Sequence, residues 1–107
     1  MRLELQHIDD CPNWAVASER LRDALIATGH GEDPVVVRTV RDPDEAERMG
    51  FAGSPTIYAD GVDLFPTDAD GGALACRVYK TPTGLAGSPT VDQLVDAIKR
   101  VDAAGGA

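Results

Sequence analysis

Cysteine and histidine are scarce in this 107-residue chain, two of each, and the neighbours of Cys11 mark it as the residue best placed for chemistry. Asp9-Asp10 precedes it and Pro12-Asn13-Trp14 follows. Before it, Arg2 to Ile8 alternates Leu3, Leu5 and His7 against Arg2, Glu4 and Gln6, the pattern of a half-buried strand. After it, Trp14, Ala17, Leu21, Ala24 and Leu25 recur every three or four residues, which predicts a helix that Gly29 ends. The sulfur thus belongs at a strand-to-helix junction. A thiol there faces backbone N–H groups without intrahelical partners and the positive end of the helix dipole, and both favour the nucleophilic thiolate. Asp9 and Asp10 act against ionisation, so the expectation is a modestly activated, exposed nucleophile. The competing expectation is a buried structural cysteine, the commonest place for a thiol in a folded protein.

The other scarce side chains point elsewhere. His7 shares strand parity with Leu3 and Leu5, which predicts a hydrogen-bonded, semi-buried ring rather than a catalytic base. His30 follows the helix-ending Gly29 and reads as a loop residue. Two cysteines and two histidines show none of the short spacings of metal ligands, so neither a metal nor another cofactor is expected.

Further along, Pro34 to Val40 is short and β-branched, as expected for a buried parallel strand reached through a helical crossover. Asp42-Pro43-Asp44-Glu45 starts a short helix that runs to Met49-Gly50. Thr56 to Ala59 and Val62 to Phe65 flank Asp60-Gly61, a dipeptide suited to a type I′ hairpin turn. Pro66 to Gly72 reads as an acidic, Gly-rich loop, and Ala73 to Tyr79 as an apolar segment of undecided state. Thr90 and Gln93 form a capping box, followed by Val91, Leu94, Val95, Ile98 and Val101 at helical spacing. One domain over residues 1–102 is expected, with 103–107 as a frayed tail.

The order β-α-β-α-β-β-α, with Cys11-Pro12-Asn13-Trp14 at the first junction and Phe51-Ala52-Gly53-Ser54-Pro55-Thr56 opening the third strand, resembles the thioredoxin superfamily. The sequence also looks like a small group of actinobacterial thioredoxin-like proteins, some with selenocysteine at the nucleophile position. The resemblance implies an α/β fold with a four-stranded mixed sheet flanked by helices. It implies catalysis by Cys11, a cis-proline at Pro55, and a substrate groove formed by Pro12, Asn13, Trp14, Ser54, Pro55 and Thr56. In such a groove the backbone at Ser54 would pair with a thiol or peptide as an added strand. Trp14 also has a plainer reading as a side chain packed in the first helical turn, and Pro55 as an ordinary turn proline.

Where the family carries its resolving cysteine, this chain has Trp14, so Cys11 works alone or with a distant partner, for which Cys76 is the one candidate. Two threadings compete. If Val62 to Phe65 is the fourth strand, the segment bearing Cys76 can fold over Cys11, and Arg77, Tyr79 and Lys80 form an anion-friendly rim or an idle surface. If Ala73 to Lys80 is that strand, roughly 15 Å of strand separates the two sulfurs and no bridge forms.

Composition narrows the partners. A formal charge of −8 without a basic cluster repels phosphate backbones and anionic lipids, so no nucleic acid and no membrane is expected. No stretch approaches the ~20 apolar residues of a membrane span, and the start lacks a signal-peptide core. Two cysteines suit a reducing cytoplasm. The leading expectation is a thiol-disulfide or peroxide-linked oxidoreductase acting on a low-molecular-weight thiol or protein disulfide, in which Cys11 attacks, Pro55 shapes the groove and Cys76 is the one candidate to resolve. The alternatives are a catalytically degenerate peptide- or protein-binding module and a scavenger of soft electrophiles.

Overall fold

Alternation of Leu3 and Leu5 with Glu4 builds strand β1 (Leu3–His7), and the helical spacing after Cys11 builds α1 (Asn13–Ala27), which buries Ala17, Leu21, Ala24 and Leu25. The computed structural model describes residues 1–9, 11–49, 51, 53–66 and 77–105. Helix α1 ends in a Schellman motif. Gly29 takes φ +83°, the His30 N–H donates to the Leu25 carbonyl at 2.7 Å, and the Gly29 N–H donates to that of Ile26 at 3.3 Å.

Strand β2 (Val35–Thr39) runs parallel to β1 with Leu5 opposite Val37. Helix α2 (Pro43–Met49) starts where Asp42 Oδ1 accepts the Asp44 N–H at 2.8 Å, the cap that its sequence predicts. Strand β3 (Thr56–Ala59) pairs antiparallel on the other side of β1, with Leu5 opposite Ile57. Asp60 (φ +51°) and Gly61 (φ +81°) are both left-handed, as a type I′ turn requires, and return the chain into β4 (Val62–Asp63). The result is a four-stranded mixed sheet in the order β2-β1-β3-β4. Among the described residues no helix is long and apolar enough to cross a membrane.

A second hairpin, β5 (Tyr79–Thr81) with β6 (Gly84–Ala86), stands between β4 and the last helix, and the seven-element order predicted from sequence lacks it. Its strands are three residues each, too short for a periodic signal. Tyr79 and Lys80 belong to this separate sheet and β4 is the fourth strand, which removes the threading with Ala73 to Lys80 in that place. Strand β4 is itself shorter than Val62 to Phe65, because Asp63 Oδ1 accepts the Phe65 N–H at 2.9 Å and bends the chain away. The loop expected over Pro66 to Gly72 lies, apart from Pro66, outside the described residues. Helix α3 (Val91–Gly105) opens on the expected capping box, with Thr90 Oγ1 accepting the Gln93 N–H at 3.1 Å and Gln93 Oε1 accepting the Thr90 N–H at 2.9 Å. It continues through Ala103 and Ala104, expected to fray, since alanine is the best helix former.

Helices α1 and α3 pack together over one sheet face, joining Leu21 and Leu25 to Leu3, Leu5, Ile57, Leu94 and Ile98 in the main core. A second cluster of Ile8, Cys11, Val40, Ala46 and Phe51 closes the sheet end where α2 sits. Strand β2 departs from expectation. It is parallel but lies at the sheet edge, with Val36 54% and Val37 46% exposed, because it is the outermost strand of the sheet and, among the described residues, no strand lies beyond it.

His30 ties α3 to the α1–β2 connection. Its Nδ1 lies 2.8 Å from Asp33 Oδ2 and its Nε2 2.7 Å from Asp102 Oδ2. Carboxylate oxygens accept, so the ring serves both only with a proton on each nitrogen. The hydrogen bond to Asp102, followed by that to Asp33, raises the His30 pKa against a smaller opposing effect of burial. Asp33 also meets the Met1 ammonium at 3.1 Å, and that contact, then His30, lowers its pKa.

A raised histidine pKa stabilises the fold fully below the unfolded value of about 6.5, and the contribution is lost as pH rises through the folded value. Asp33 has the opposite sign and loses its contribution only in acid. Unfolding free energy from urea titrations should therefore fall as pH rises above about 6.5, and His30→Gln should flatten that slope. In the same assay Ile98→Ala, at a fully buried site, should cost about 2–5 kcal/mol, whereas Ile26→Ala, at 63% exposure, should change stability by less than about 0.5 kcal/mol.

Candidate functional site

Ser54 brings the candidate residues together. Its Oγ accepts the Ile8 N–H at 3.1 Å, which fixes it to the end of β1. Its main-chain oxygen lies 3.6 Å from Cys11 Sγ, with the thiol donating, and accepts the Arg77 N–H at 2.7 Å. The Ser54–Pro55 peptide bond is cis. Cys11, Ser54, Pro55 and Thr56 thus occupy one buried site at the mouth of α1.

The expectation of an exposed sulfur is overturned: Cys11 is 0% exposed. Its N–H donates to the Ile8 carbonyl at 3.3 Å, a tight turn, and its side chain joins the cluster of Ile8, Val40, Ala46 and Phe51. The Phe51 N–H in turn donates to the Ala46 carbonyl at 2.9 Å, which closes α2 over the strand ends. Polar neighbours in sequence misled because burial here is imposed by α2 and Phe51, some forty residues further along the chain.

The remaining predicted groove residues part company. Pro12 is exposed at the head of α1. Asn13 turns to the loop before α3, where a Cβ added to Gly87 would lie 2.2 Å from its Nδ2, so any larger residue there would have to displace the Asn13 amide. Trp14 stacks on His7, with ring centroids 4.4 Å apart and planes 14° from parallel, and packs against the main core. His7 is itself buried. Its Nδ1 must donate to the Ile8 carbonyl at 3.1 Å, which leaves Nε2 to accept from the Thr39 hydroxyl at 3.3 Å. Both of its nitrogens are engaged, as the sequence predicts for a structural histidine.

Arg77 and Tyr79 form no solvent-facing rim. They are 8% and 5% exposed and build the cover of the site. The Arg77 guanidinium lies 3.2 Å from Asp63 Oδ2, donates to the Phe65 carbonyl, reaches Thr56 Oγ1 at 3.5 Å, and stands 4.7 Å over the Tyr79 ring. The Tyr79 hydroxyl donates to the Pro55 carbonyl, and burial raises its pKa far above the ordinary phenol range, so it remains a donor. Lys80, on the outside of β5, is exposed, and its carbonyl accepts from Gln93 Nε2 at 2.7 Å. Sequence reasoning passed over Asp63. Its one signal is a carboxylate inside an apolar run with an arginine further along. Cys76, the expected resolving residue, lies outside the described residues.

Comparison of the chain with family models, curated proteins and solved structures finds no match.

The hydrogen bonds of a charged group contribute about 1.5–3 kcal/mol each, and breaking a buried ion pair by removing one partner costs about 3–5 kcal/mol. Arg77→Met should therefore destabilise the protein and free the cover. In reduced protein, native-state alkylation of Cys11, followed by peptide mass spectrometry, should accelerate by about ten- to a hundredfold.

Proposed function

We propose that the protein is a thioredoxin-like thiol-disulfide oxidoreductase of the cytoplasm, acting on a low-molecular-weight thiol or a protein disulfide, with Cys11 as nucleophile and Cys76 as its resolving partner. One observation carries this reading: Cys11 Sγ and the Arg77 N–H meet on the same Ser54 carbonyl, beside a cis-proline at the mouth of α1. Arg77 is the residue that follows Cys76 in the chain. The sheet order β2-β1-β3-β4, with Cys11 after the first strand and Pro55 before the third, supports the thioredoxin-like arrangement.

In this chemistry the Cys11 thiolate attacks one sulfur of a substrate disulfide, expels the other as a thiolate, and forms a mixed disulfide. The Cys76 thiolate then attacks Cys11 Sγ and releases the second substrate thiol. The substrate gains two electrons, and a Cys11–Cys76 disulfide remains for a dithiol or low-molecular-weight thiol to reduce. Burial of the sulfur, with the Arg77 N–H on the carbonyl beside it, requires that the chain around it move during turnover.

Burial of Cys11 and replacement of the usual second cysteine by a stacked Trp14 favour a second reading, a binding module that retains the groove without turnover. Peptide mapping of native protein after mild peroxide separates the two. The oxidoreductase yields a Cys11–Cys76 bridge that Cys11→Ser abolishes, and it reduces a model disulfide. A Cys11 thiol that stays unmodified until the protein is denatured rules out the redox cycle and leaves the binding module.

A further inference from the structure

Strand β2 has the geometry of an interface. The Val40 N–H donates to the His7 carbonyl at 2.7 Å, and alternation along a parallel ladder turns the main-chain groups of Val36 and Arg38 toward β1 as well. Those of Val35, Val37 and Thr39 therefore point away from the sheet, and among the described residues no strand lies beyond them. Edge strands are ordinarily guarded by lysine, proline, bulges or a covering element. This one presents Val36 at 54% and Val37 at 46% exposure, and its single charge, Arg38, is drawn to Glu4 at 3.5 Å. Grooves flank it on both faces, one of about 410 Å³ lined by Glu4, Val36 and Tyr58, the other of about 290 Å³ lined by Arg22, Leu25 and Val37.

We propose that β2 pairs antiparallel with β2 of a second copy of this chain, about a twofold axis through Val37, to form one continuous eight-stranded sheet. An axis perpendicular to the sheet keeps each face on its own side, so only residues of equal parity can stand opposite one another. With Val37 opposite itself, Val35 meets Thr39 of the second copy and the reverse. Each of these three outward-facing pairs exchanges two main-chain hydrogen bonds. One step beyond, Asp33, whose Oδ2 also holds Met1 and His30, falls opposite Arg41 of the second copy, and symmetry repeats that opposite-charge pair; the Glu32 and Asp42 that face each other next are exposed to water and lie further from the axis. Arg41 is free to turn, being 74% exposed and only loosely held by Asp9 at 3.3 Å. A two-residue slip in either direction loses one hydrogen-bonded pair and the match of Asp33 with Arg41. The opposite edge offers no equal, since β4 has two residues. A contact of one strand falls at the small end of specific interfaces, so the dimer is a dissociating one.

Sedimentation equilibrium of the full chain from low micromolar to near-millimolar protein should show a reversible monomer–dimer exchange. Val37→Lys sets two ammonium groups against each other on the axis and should weaken the dimer about tenfold or more. Arg41→Asp should weaken it severalfold, whereas Val62→Lys on the other edge should leave it unchanged. Far-ultraviolet circular dichroism and melting curves confirm that each variant is folded. A wild type that stays monomeric throughout leaves the edge to an unrelated extended peptide and overturns the proposal. So does a dimer indifferent to Val37→Lys, or one weakened equally by Val62→Lys.

Discussion

The structure depends on one buried residue, Ser54, whose two oxygens hold three separate parts of the chain. The hydroxyl takes the N–H at the end of β1, and the carbonyl takes both the Cys11 thiol and the Arg77 N–H. A carbonyl has two lone pairs, so it can accept from both without leaving a buried donor orphaned. An unpaired polar group at 0% exposure costs more than a single hydrogen bond contributes. The first junction, the turn before β3 and the segment entering β5 are therefore obliged to converge here.

Convergence has a chemical consequence. The carbonyl nearest the sulfur, which in an open groove would be free to pair with an incoming strand, is engaged by the protein's own backbone at Arg77. The guanidinium then reaches past it to Asp63 and the Phe65 carbonyl, and Tyr79 locks onto Pro55. These are charge-assisted or deeply buried contacts, stronger than the neutral surface kind. Access to the thiol thus depends on local opening, either of the Arg77 segment bound at the Ser54 carbonyl or of α2 and Phe51, which pack against the sulfur.

At the other end of the sheet order, β2 is the least protected element. The main core draws its apolar side chains from β1, β3, α1 and α3, and Val35 only packs against its border. A β-branched strand left there retains apolar side chains and main-chain donors facing water, which is the ordinary starting point for strand addition. Self-complementarity arises because Asp33 precedes the strand and Arg41 follows it at an equal distance from Val37, an order that antiparallel pairing brings into register.

Several elements were legible in the residues alone. The Asp42 cap, the Thr90/Gln93 box, the Gly29 stop and the Asp60-Gly61 turn are each specified within a few residues, because caps and tight turns are local hydrogen-bonding and φ/ψ problems. Placement of Cys11 at the head of a helix, and the structural role of His7, follow from periodicity in the same way. Tertiary structure decided the rest. Cys11 is buried because α2 and Phe51 close over it, Arg77 points inward because Asp63 is there, and β2 is an edge because the chain placed β3 on the other side of β1. Burial and strand neighbours are set by contacts between residues far apart in sequence, and a local pattern carries no record of which partner will arrive.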